Sequence, residues 1–253
     1  MSGRIEQLTG AHVVLEALRA RRRKLVQLRV TGRPAPEILE AAAQAGVRVE
    51  QVPAKEIRAE RGPGSPRGST ARGNPQNVVL EAGPLPDAQL DELLGGEPGT
   101  RRIVALDEVE DPHNLGAIAR VAEAAGATGI VMPARRSAPL SAAATRASAG
   151  ALEWLPVARV PNLRRALELL KREGFWVLGA DAGASESLFG VPDRVLSGDL
   201  VVALGAEGRG LRQSVRECLD HRVKIPMEGR VASLNVSTAG AVVLFELVRR
   251  SLP

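Results

Sequence analysis

The chain has 253 residues, of which 44% are hydrophobic and 25% are charged, and it has no low-complexity bias. This composition indicates a folded globular protein and excludes a disordered tail. Cys218 is the single cysteine and the three histidines are scattered, so we expect no disulfide and no metal. The sequence shows no signal peptide core and no membrane span, which predicts a cytoplasmic protein without a membrane partner.

The positive charge is concentrated in the first third of the chain. Residues 1–77 hold 14 basic and 7 acidic residues, a net charge of +7, whereas residues 78–253 hold 20 basic and 22 acidic residues, a net charge of −2. Most basic residues are arginines, which grip phosphate oxygens in a fork, so a polyanion partner is predicted. A genome that favours arginine codons is the alternative explanation. All five aromatic residues lie outside the basic third, which predicts that arginines and backbone hold any RNA.

The first third reads as a small α/β unit. Its apolar patterns predict helices over 11–20 and 36–46 and strands over 25–30, 47–52 and 77–82. Glycine, proline, serine and arginine crowd together over 61–76 and predict a loop. A second Gly/Pro-rich stretch at 83–100, with a short helix at 87–94, leads to the rest of the chain.

Strands and helices alternate in the remainder. The predicted strands are 102–107, 129–132, 154–160, 175–181, 199–205 and 222–226, and the predicted helices are 114–125, 139–151, 162–174, 211–219 and 235–250. Nearly continuous apolar strands alternating with helices predict a buried parallel sheet covered by helices. We therefore expect an α/β protein with a small domain over 1–82, a linker over 83–101 and a larger domain over 102–253.

Ligands of such sheets bind beyond the carboxyl ends of the strands, and three segments there carry unusual residues. These residues are Asn114 and Arg120 in the first segment, Gly205, Glu207 and Gly208 in the second, and Ser233 and Asn235 in the third. Each has a purely structural interpretation: Asn114, Ser233 and Asn235 as helix caps, Arg120 as a solvated helix residue, and the glycines as a turn. The alternative is that all three segments contribute to one binding site.

The three segments also carry a resemblance to a known family. NLGAIAR (114–120), LVVALGAEGRGL (200–211) and VKIPMEGRVASLNVSTAGAVVLFE (223–246) resemble the motifs of the SpoU (TrmH) branch of the SPOUT methyltransferases. The match covers about 102–251. The first third is similar to the L30e-like RNA-binding domain that precedes the catalytic domain in 23S rRNA guanosine-2′-O-methyltransferases of the RlmB type.

This resemblance implies methyl transfer from S-adenosylmethionine to a ribose 2′-OH of RNA, with 23S rRNA or a large-subunit precursor as the partner. It also implies a homodimer and a deep trefoil knot made by the last two motifs. Residues expected to bind S-adenosylmethionine, largely through backbone groups, are Leu204, Gly205, Gly208, Ile225, Met227 and Leu234. The implied catalytic residues are Asn114, Arg120, Glu207, Ser233 and Asn235.

Arg120 is the residue whose role is most open. The matching arginine is often proposed as a general base in this family, but a guanidinium is effectively never deprotonated in proteins. We expect Arg120 to hold the ribose's phosphate and to stabilise the developing alkoxide. By the resemblance, Asn114, Ser233 and Asn235 orient the ribose and Arg120, and Glu207 fixes the loop or a substrate amine.

The basic third supplies the candidates for RNA phosphate contacts. These are Arg19, Arg21, Arg22, Arg23, Arg67 and Arg72. Two alternatives remain. The first keeps the same reaction but changes the substrate: ribose methylation of tRNA or of another rRNA loop, as in antibiotic-resistance relatives. The second is a catalytically silent RNA-binding or assembly factor. The presence of a whole N-terminal domain favours rRNA.

Overall fold

The computed structural model describes residues 5–59 and 77–252, with the side chains of 58 and 59 left out. Its contacts divide the chain into two compact units, which are called here the basic unit (Met1–Pro86 with Leu140–Trp154) and the sheet unit (Asp87–Pro139 with Leu155–Pro253). The predicted loop over 61–76 lies outside the described residues. Within the described ranges, no helix is both long and apolar enough to cross a membrane.

The elements follow the predicted alternation closely. The first part contains β1 (Glu6–Thr9), α1 (Ala11–Ala20), β2 (Leu25–Val30), α2 (Pro36–Gln44), β3 (Arg48–Gln51), α3 (Ala54–Ala59) and β4 (Val78–Ala82). The remainder contains β5 (Arg102–Asp107), α4 (Pro112–Ala124), β6 (Gly129–Pro133), α5 (Ala142–Ala147), β7 (Val157–Val160), α6 (Leu163–Arg172), β8 (Trp176–Ala180), β9 (Glu186–Ser187), α7 (Asp193–Leu196), β10 (Leu200–Gly205), α8 (Gln213–Arg216), β11 (His221–Lys224) and α9 (Val236–Ser251).

The basic unit is built on a four-stranded mixed sheet. Its order is β1-β4-β2-β3, with β4 antiparallel to β1 and β2, and β2 parallel to β3. Helix α1 buries Val14 and Leu18 in the core of this unit because its apolar residues recur at helical spacing. Strand β1 and helix α3 were not predicted, because each is short and carries few apolar residues.

The segment Leu140–Trp154 belongs to the basic unit, although we expected it within the larger domain. The predicted helix over 139–151 is only α5, which is followed by Gly150 at a φ of 92°. A Cβ at Gly150 would lie 2.8 Å from the Cβ of Glu16, so the missing side chain lets this segment pack against α1.

The sheet unit contains the predicted parallel sheet. Seven strands pair in parallel in the order β7-β6-β5-β10-β8-β11-β9. The central strands β5 and β10 are buried almost throughout, as their continuous apolar sequences predict. Because the strands are parallel, the segments that follow β5, β8, β10 and β11 meet at one edge of the sheet.

The predicted linker over 83–101 is not a free connection. Residues from Asp87 onward belong to the sheet unit, where the carboxylate of Asp199 accepts hydrogen bonds from the backbone N–H groups of Gly99 (2.8 Å) and Arg101 (2.9 Å). The predicted helix at 87–94 is reduced to a single 3-10 turn over Asp91–Leu94. Most of the Gly/Pro-rich stretch is therefore ordered and packs in the sheet unit.

Candidate active site

A cavity of about 460 Å³ lies at the carboxyl edge of the parallel sheet. It is bounded by the segments that follow β8, β10 and β11 and by the start of α9. All six residues predicted to bind S-adenosylmethionine line it: Leu204, Gly205, Gly208, Ile225, Met227 and Leu234. The fold therefore brings together positions that lie up to 30 residues apart in sequence.

The glycines allow the loop after β10 to fold tightly at the cavity wall. A Cβ at Gly205 would lie 2.1 Å from the carbonyl carbon of Gly210 and 2.3 Å from the backbone nitrogen of Leu211. Only glycine permits this approach of two backbone segments. Gly208 and Gly210 have φ angles of 76° and 66°, and the N–H of Gly210 donates to the carbonyl of Ala206 at 2.9 Å. These features fix the loop that carries Glu207.

Three predicted side chains, one from each motif, form a hydrogen-bonded cluster, called here the amide–carboxylate cluster (Asn114, Glu207 and Asn235). Nδ2 of Asn114 donates to Oε1 of Glu207 at 3.2 Å, and Nδ2 of Asn235 donates to Oδ1 of Asn114 at 3.1 Å. Nδ2 of Asn235 also donates to Oε1 of Glu207. The three motifs therefore meet through their polar side chains.

Asn235 has a second role at the start of α9. Its Oδ1 accepts hydrogen bonds from the backbone N–H (2.8 Å) and the hydroxyl (2.6 Å) of Ser237. This confirms the interpretation of Asn235 as a helix cap, and the cap leaves its Nδ2 free to join the cluster. Ser233 is exposed and lines the same cavity.

The interpretation of Asn114 as a helix cap was wrong. Helix α4 begins two residues earlier, at Pro112, and its cap is Asp111, whose carboxylate accepts a hydrogen bond from the backbone N–H of His113 at 2.9 Å. Proline at the first position suits a helix start because its missing N–H would have no helical partner there. The amide of Asn114 is consequently available for Glu207 and Asn235.

Arg120 lies apart from the cluster. It follows Asn114 by six residues on α4, which places the two side chains about 120° apart around the helix axis. Arg120 is exposed, is absent from the cavity lining, and has neither an ion pair nor a hydrogen-bond partner among the side chains that the structure describes. The structure thus places Glu207, Ser233 and Asn235 in the cavity lining and joins Asn114 to two of them by hydrogen bonds, whereas Arg120 has neither connection.

Three charged residues of the cavity lining were missed from the sequence: Asp181, Arg209 and Arg216. Asp181 follows β8 directly, and Arg216 lies at the end of α8. Nε of Arg216 lies 3.4 Å from Oδ2 of Asp181, and Nε of Arg222 lies 3.6 Å from the same oxygen. The position of Asp181 just beyond a buried strand is the same signal that pointed to Asn114 and Glu207.

The arginines predicted to contact RNA have different surroundings. Arg19 and Arg21 are exposed, and Arg22 donates to the carbonyl of Leu152 at 3.4 Å. Arg67 and Arg72 lie outside the described residues.

The prediction that Arg23 contacts RNA was wrong. Its side chain is completely buried and donates to both carboxylate oxygens of Glu153, at 3.1 and 2.8 Å, and to Glu6 at 3.1 Å. Burial raises the pKa of the Glu153 carboxyl, and the neighbouring Arg23 opposes that rise. Arg23 therefore holds the basic unit together and cannot reach a phosphate.

Comparison with known proteins agrees with this geometry. Residues 101–245 match the SpoU rRNA Methylase family, a range that contains the whole amide–carboxylate cluster. The chain belongs to the SpoU rRNA methylase family. It is 38% identical to the 23S rRNA (guanosine-2′-O-)-methyltransferase RlmB of Pseudomonas putida, and the alignment covers 97% of both chains.

Two solved structures of this family illustrate the range of likeness. The AdoMet-bound rRNA methyltransferase from Sinorhizobium meliloti is similar with a TM-score of 0.78 and 29% identity, over 99% of this chain and 89% of the other. The A. aeolicus TrmH/SpoU tRNA modifying enzyme is similar with a TM-score of 0.53 and 26% identity, over 64% of this chain and 80% of the other.

Proposed function

We propose that this protein transfers a methyl group from S-adenosylmethionine to the 2′-OH of a guanosine ribose in 23S rRNA. The observation that carries the proposal is the hydrogen bonding of Asn114 to Glu207 and Asn235, which both line one cavity, in a chain that belongs to the SpoU rRNA methylase family. The match to the Pseudomonas putida enzyme over nearly the whole of both chains supports the choice of 23S rRNA.

The cavity suits S-adenosylmethionine in size and chemistry. Its volume of about 460 Å³ lies within the usual range for small-ligand sites. Leu204, Ile225 and Leu234 offer an apolar wall for an adenine ring, and the glycine loop after β10 exposes backbone groups to hydroxyls and ring nitrogens. When bound, S-adenosylmethionine supplies a methyl group on a positively charged sulfur that is open to attack by an oxygen.

The amide–carboxylate cluster orients the ribose for this attack. Methyl transfer is an in-line displacement, so the nucleophilic oxygen, the methyl carbon and the sulfur must be aligned. Because Asn114, Glu207 and Asn235 already hold each other in place, little ordering is needed when RNA binds. Ser233 adds a hydroxyl at the same cavity, and Glu207 fixes both amides.

We place Arg120 in the site of a facing subunit of a homodimer, with its charge on the RNA phosphate and the developing alkoxide. Its exposure, its lack of partners among the described side chains, and its position about 120° around α4 from Asn114 support this placement. A guanidinium there stabilises negative charge without having to lose a proton.

Mixing two inactive variants tests this arrangement. In a dimer that pairs an Arg120→Ala chain with an Asn235→Ala chain, one site keeps both residues if Arg120 acts across the interface, so a fully exchanged mixture should recover about a quarter of the sites. If Arg120 acts within its own chain, both sites stay defective and mixing restores nothing.

The basic unit serves RNA capture in this proposal, as an L30e-like domain. The tRNA modifying enzyme from A. aeolicus matches only 64% of this chain, whereas the Sinorhizobium meliloti rRNA methyltransferase matches 99%, which favours an rRNA substrate. We also propose that the segments after β10 and β11 form a trefoil knot, as in the family. An rRNA substrate implies a cytoplasmic location.

The test is a transfer assay with purified protein, tritiated S-adenosylmethionine and unmodified 23S rRNA, followed by digestion to nucleosides. Label in 2′-O-methylguanosine supports the proposal, and label in a base contradicts it. Calorimetric titration with S-adenosylmethionine distinguishes a methyltransferase from a catalytically silent RNA-binding or assembly factor, because such a factor should not bind the co-substrate. Transfer to tRNA but not to 23S rRNA would favour the tRNA alternative.

A further inference from the structure

The methyl-transfer scheme leaves the charged pair at the β8 side of the cavity without a role. Asp181 is anchored on three sides: its Oδ1 accepts the backbone N–H of Gly183 at 2.9 Å, and its Oδ2 lies 3.4 Å from Nε of Arg216 and 3.6 Å from Nε of Arg222. Oδ2 of Asp181 and Nε of Arg216 are both buried from solvent, and neither has a hydrogen-bond partner among the described residues, so their contact is an ion pair without a hydrogen bond. Asp181 therefore restrains Arg216 through an ion pair with the Nε side of its guanidinium.

The outer part of Arg216 faces the cavity. About 35% of its side chain is exposed, and it lies among the residues that line the cavity with Leu204 and Ile225. Nη2 of Arg216 lies 3.4 Å from the place that a Cβ of Gly210 would occupy, so the bare glycine turn makes room for the guanidinium. The group is thus a fixed cation with terminal N–H donors available to a ligand.

Among the described residues, the cations that line the cavity are Arg209 and Arg216. Arg209 lies in the exposed glycine loop, and no described side chain holds it in place. An arginine that is already fixed loses less rotamer freedom when it binds an anion than a mobile arginine does. The anchored residue is therefore the better candidate for recognising a negative group.

We propose that Arg216, positioned by Asp181, binds the carboxylate of S-adenosylmethionine. This inference rests on the proposed function, because it assumes that S-adenosylmethionine occupies this cavity. The carboxylate is the one anionic group of that molecule, and guanidinium N–H groups match a carboxylate in geometry and charge. An RNA phosphate has similar chemistry, but Arg216 lines the same cavity as the apolar wall, which favours the co-substrate.

Three ligands separate these possibilities by calorimetry on the full-length protein. S-adenosylmethionine carries the carboxylate, decarboxylated S-adenosylmethionine keeps the sulfonium and the amine but lacks the carboxylate, and 5′-methylthioadenosine lacks the whole amino-acid end. We expect Arg216→Gln to weaken binding of S-adenosylmethionine by about 10- to 100-fold, as for loss of a charge-assisted hydrogen bond. Binding of the other two ligands should change by less than about threefold.

Two further variants serve as controls. Asp181→Asn keeps the shape of the side chain and removes its charge, so it should produce a smaller loss with the same preference for the carboxylate ligand. Arg209→Gln removes an equal charge from the same cavity lining and should leave all three dissociation constants within about threefold. Thermal unfolding of each variant shows whether it is folded, and if Arg216→Gln does not fold, Asp181→Asn carries the test.

Several outcomes would overturn the inference. Equal weakening of all three ligands would show that Arg216 only supports the cavity. Unchanged binding of S-adenosylmethionine together with weaker RNA binding would assign Arg216 to a phosphate. Failure of the unmodified protein to bind S-adenosylmethionine would overturn the proposed function and this inference together, whereas normal binding with no effect of Arg216→Gln would overturn this inference alone.

Discussion

Two polar clusters, one in each unit of the molecule, use carboxylates and nitrogen donors in opposite ways. In the basic unit, Arg23 and Glu153 are both fully buried, and their groups are paired by hydrogen bonds at 3.1 and 2.8 Å. In the sheet unit, Asn114, Glu207 and Asn235 are also joined by hydrogen bonds, but Glu207 and Asn235 are exposed and line a cavity.

This difference indicates that solvent access, more than residue type, decides whether a polar cluster can contact a ligand. A buried ion pair that loses one partner leaves an uncompensated charge, so such a pair resists substitution. A cluster at a cavity keeps unused donors and acceptors that can contact a substrate. Substitution should therefore affect stability at the Arg23–Glu153 pair and activity at the amide–carboxylate cluster.

The largest effect is expected for Arg23→Ala. It leaves Glu153 buried without a cation, and the basic unit should lose about 3–5 kcal/mol of unfolding free energy. Trp154 lies in the basic unit and Trp176 lies in the sheet unit. Urea unfolding followed by the fluorescence of Trp154, in a Trp176→Phe background, therefore measures the unfolding of the basic unit.

The exposed Arg19 provides the matched control for Arg23→Ala. Arg19→Ala should change the unfolding free energy by less than about 1 kcal/mol, because its ion pair with Glu16 is partly solvated. A normally stable Arg23→Ala protein with weak RNA binding would show that Arg23 acts on RNA after all.

The next effect concerns the cavity. Asn235→Ala removes a donor from the amide–carboxylate cluster and should lower the rate of methyl transfer by about 100-fold, with about 1 kcal/mol of lost stability from the cap. Asn162→Ala removes an equivalent cap from α6, and Asn162 is not among the residues that line the cavity. It should cost similar stability and leave the transfer rate unchanged. Equal rates for both variants would contradict the catalytic role of the cluster.

Glu246 tests whether a buried carboxylate in the sheet unit behaves like the one in the basic unit. Hydrogen bonds from Arg249, followed by those from Arg250, lower the pKa of the Glu246 carboxyl to about 2. A lowered pKa stabilises the folded state above the unfolded pKa, near 4.3, and this contribution is lost as the pH falls toward 2.

Glu246→Gln should therefore lower the unfolding free energy by about 1–3 kcal/mol at pH 7 and by less at pH 3. Fluorescence of Trp176 in a Trp154→Phe background follows the sheet unit at both pH values. A difference between variant and parent that stays constant over this range would show that the ionised form of Glu246 is not what stabilises the fold.

The smallest effect concerns the exposed arginines of the basic unit. If about five phosphates of single-stranded RNA are contacted, the logarithm of the binding constant should fall with the logarithm of the salt concentration with a slope near −3.5. Arg21→Gln should make that slope shallower by about 0.7, and Arg194→Gln, an exposed arginine of the sheet unit, should not change it. A slope near zero for the unmodified protein would show that the basic unit does not bind the RNA phosphates.

The elements that the sequence predicted best are those whose signal is local. Strands β5 and β10 are continuous apolar runs, and helix α1 has a regular apolar face, so each was predicted within one residue of its observed bounds. The residues of the amide–carboxylate cluster could also be predicted from the sequence, because they follow parallel strands whose ends share one edge of the sheet.

The features that were missed depend on distant partners. The burial of Arg23 follows from Glu153, 130 residues away, and strand β1 forms only because β4 pairs with it. The pairing of Asp181 with Arg216 likewise joins the end of β8 to α8, which lies two strands further along the chain. No local periodicity or composition contains that information.

The most direct test of the central assignment is a map of ribose methylation across total RNA from cells with and without this protein. We predict the loss of a single 2′-O-methylguanosine from 23S rRNA, with tRNA methylation unchanged, and its return when the unaltered chain is restored but not when Asn235→Ala is supplied. An identical methylation map in both kinds of cell, or a lost methyl group on a base, would contradict the assignment.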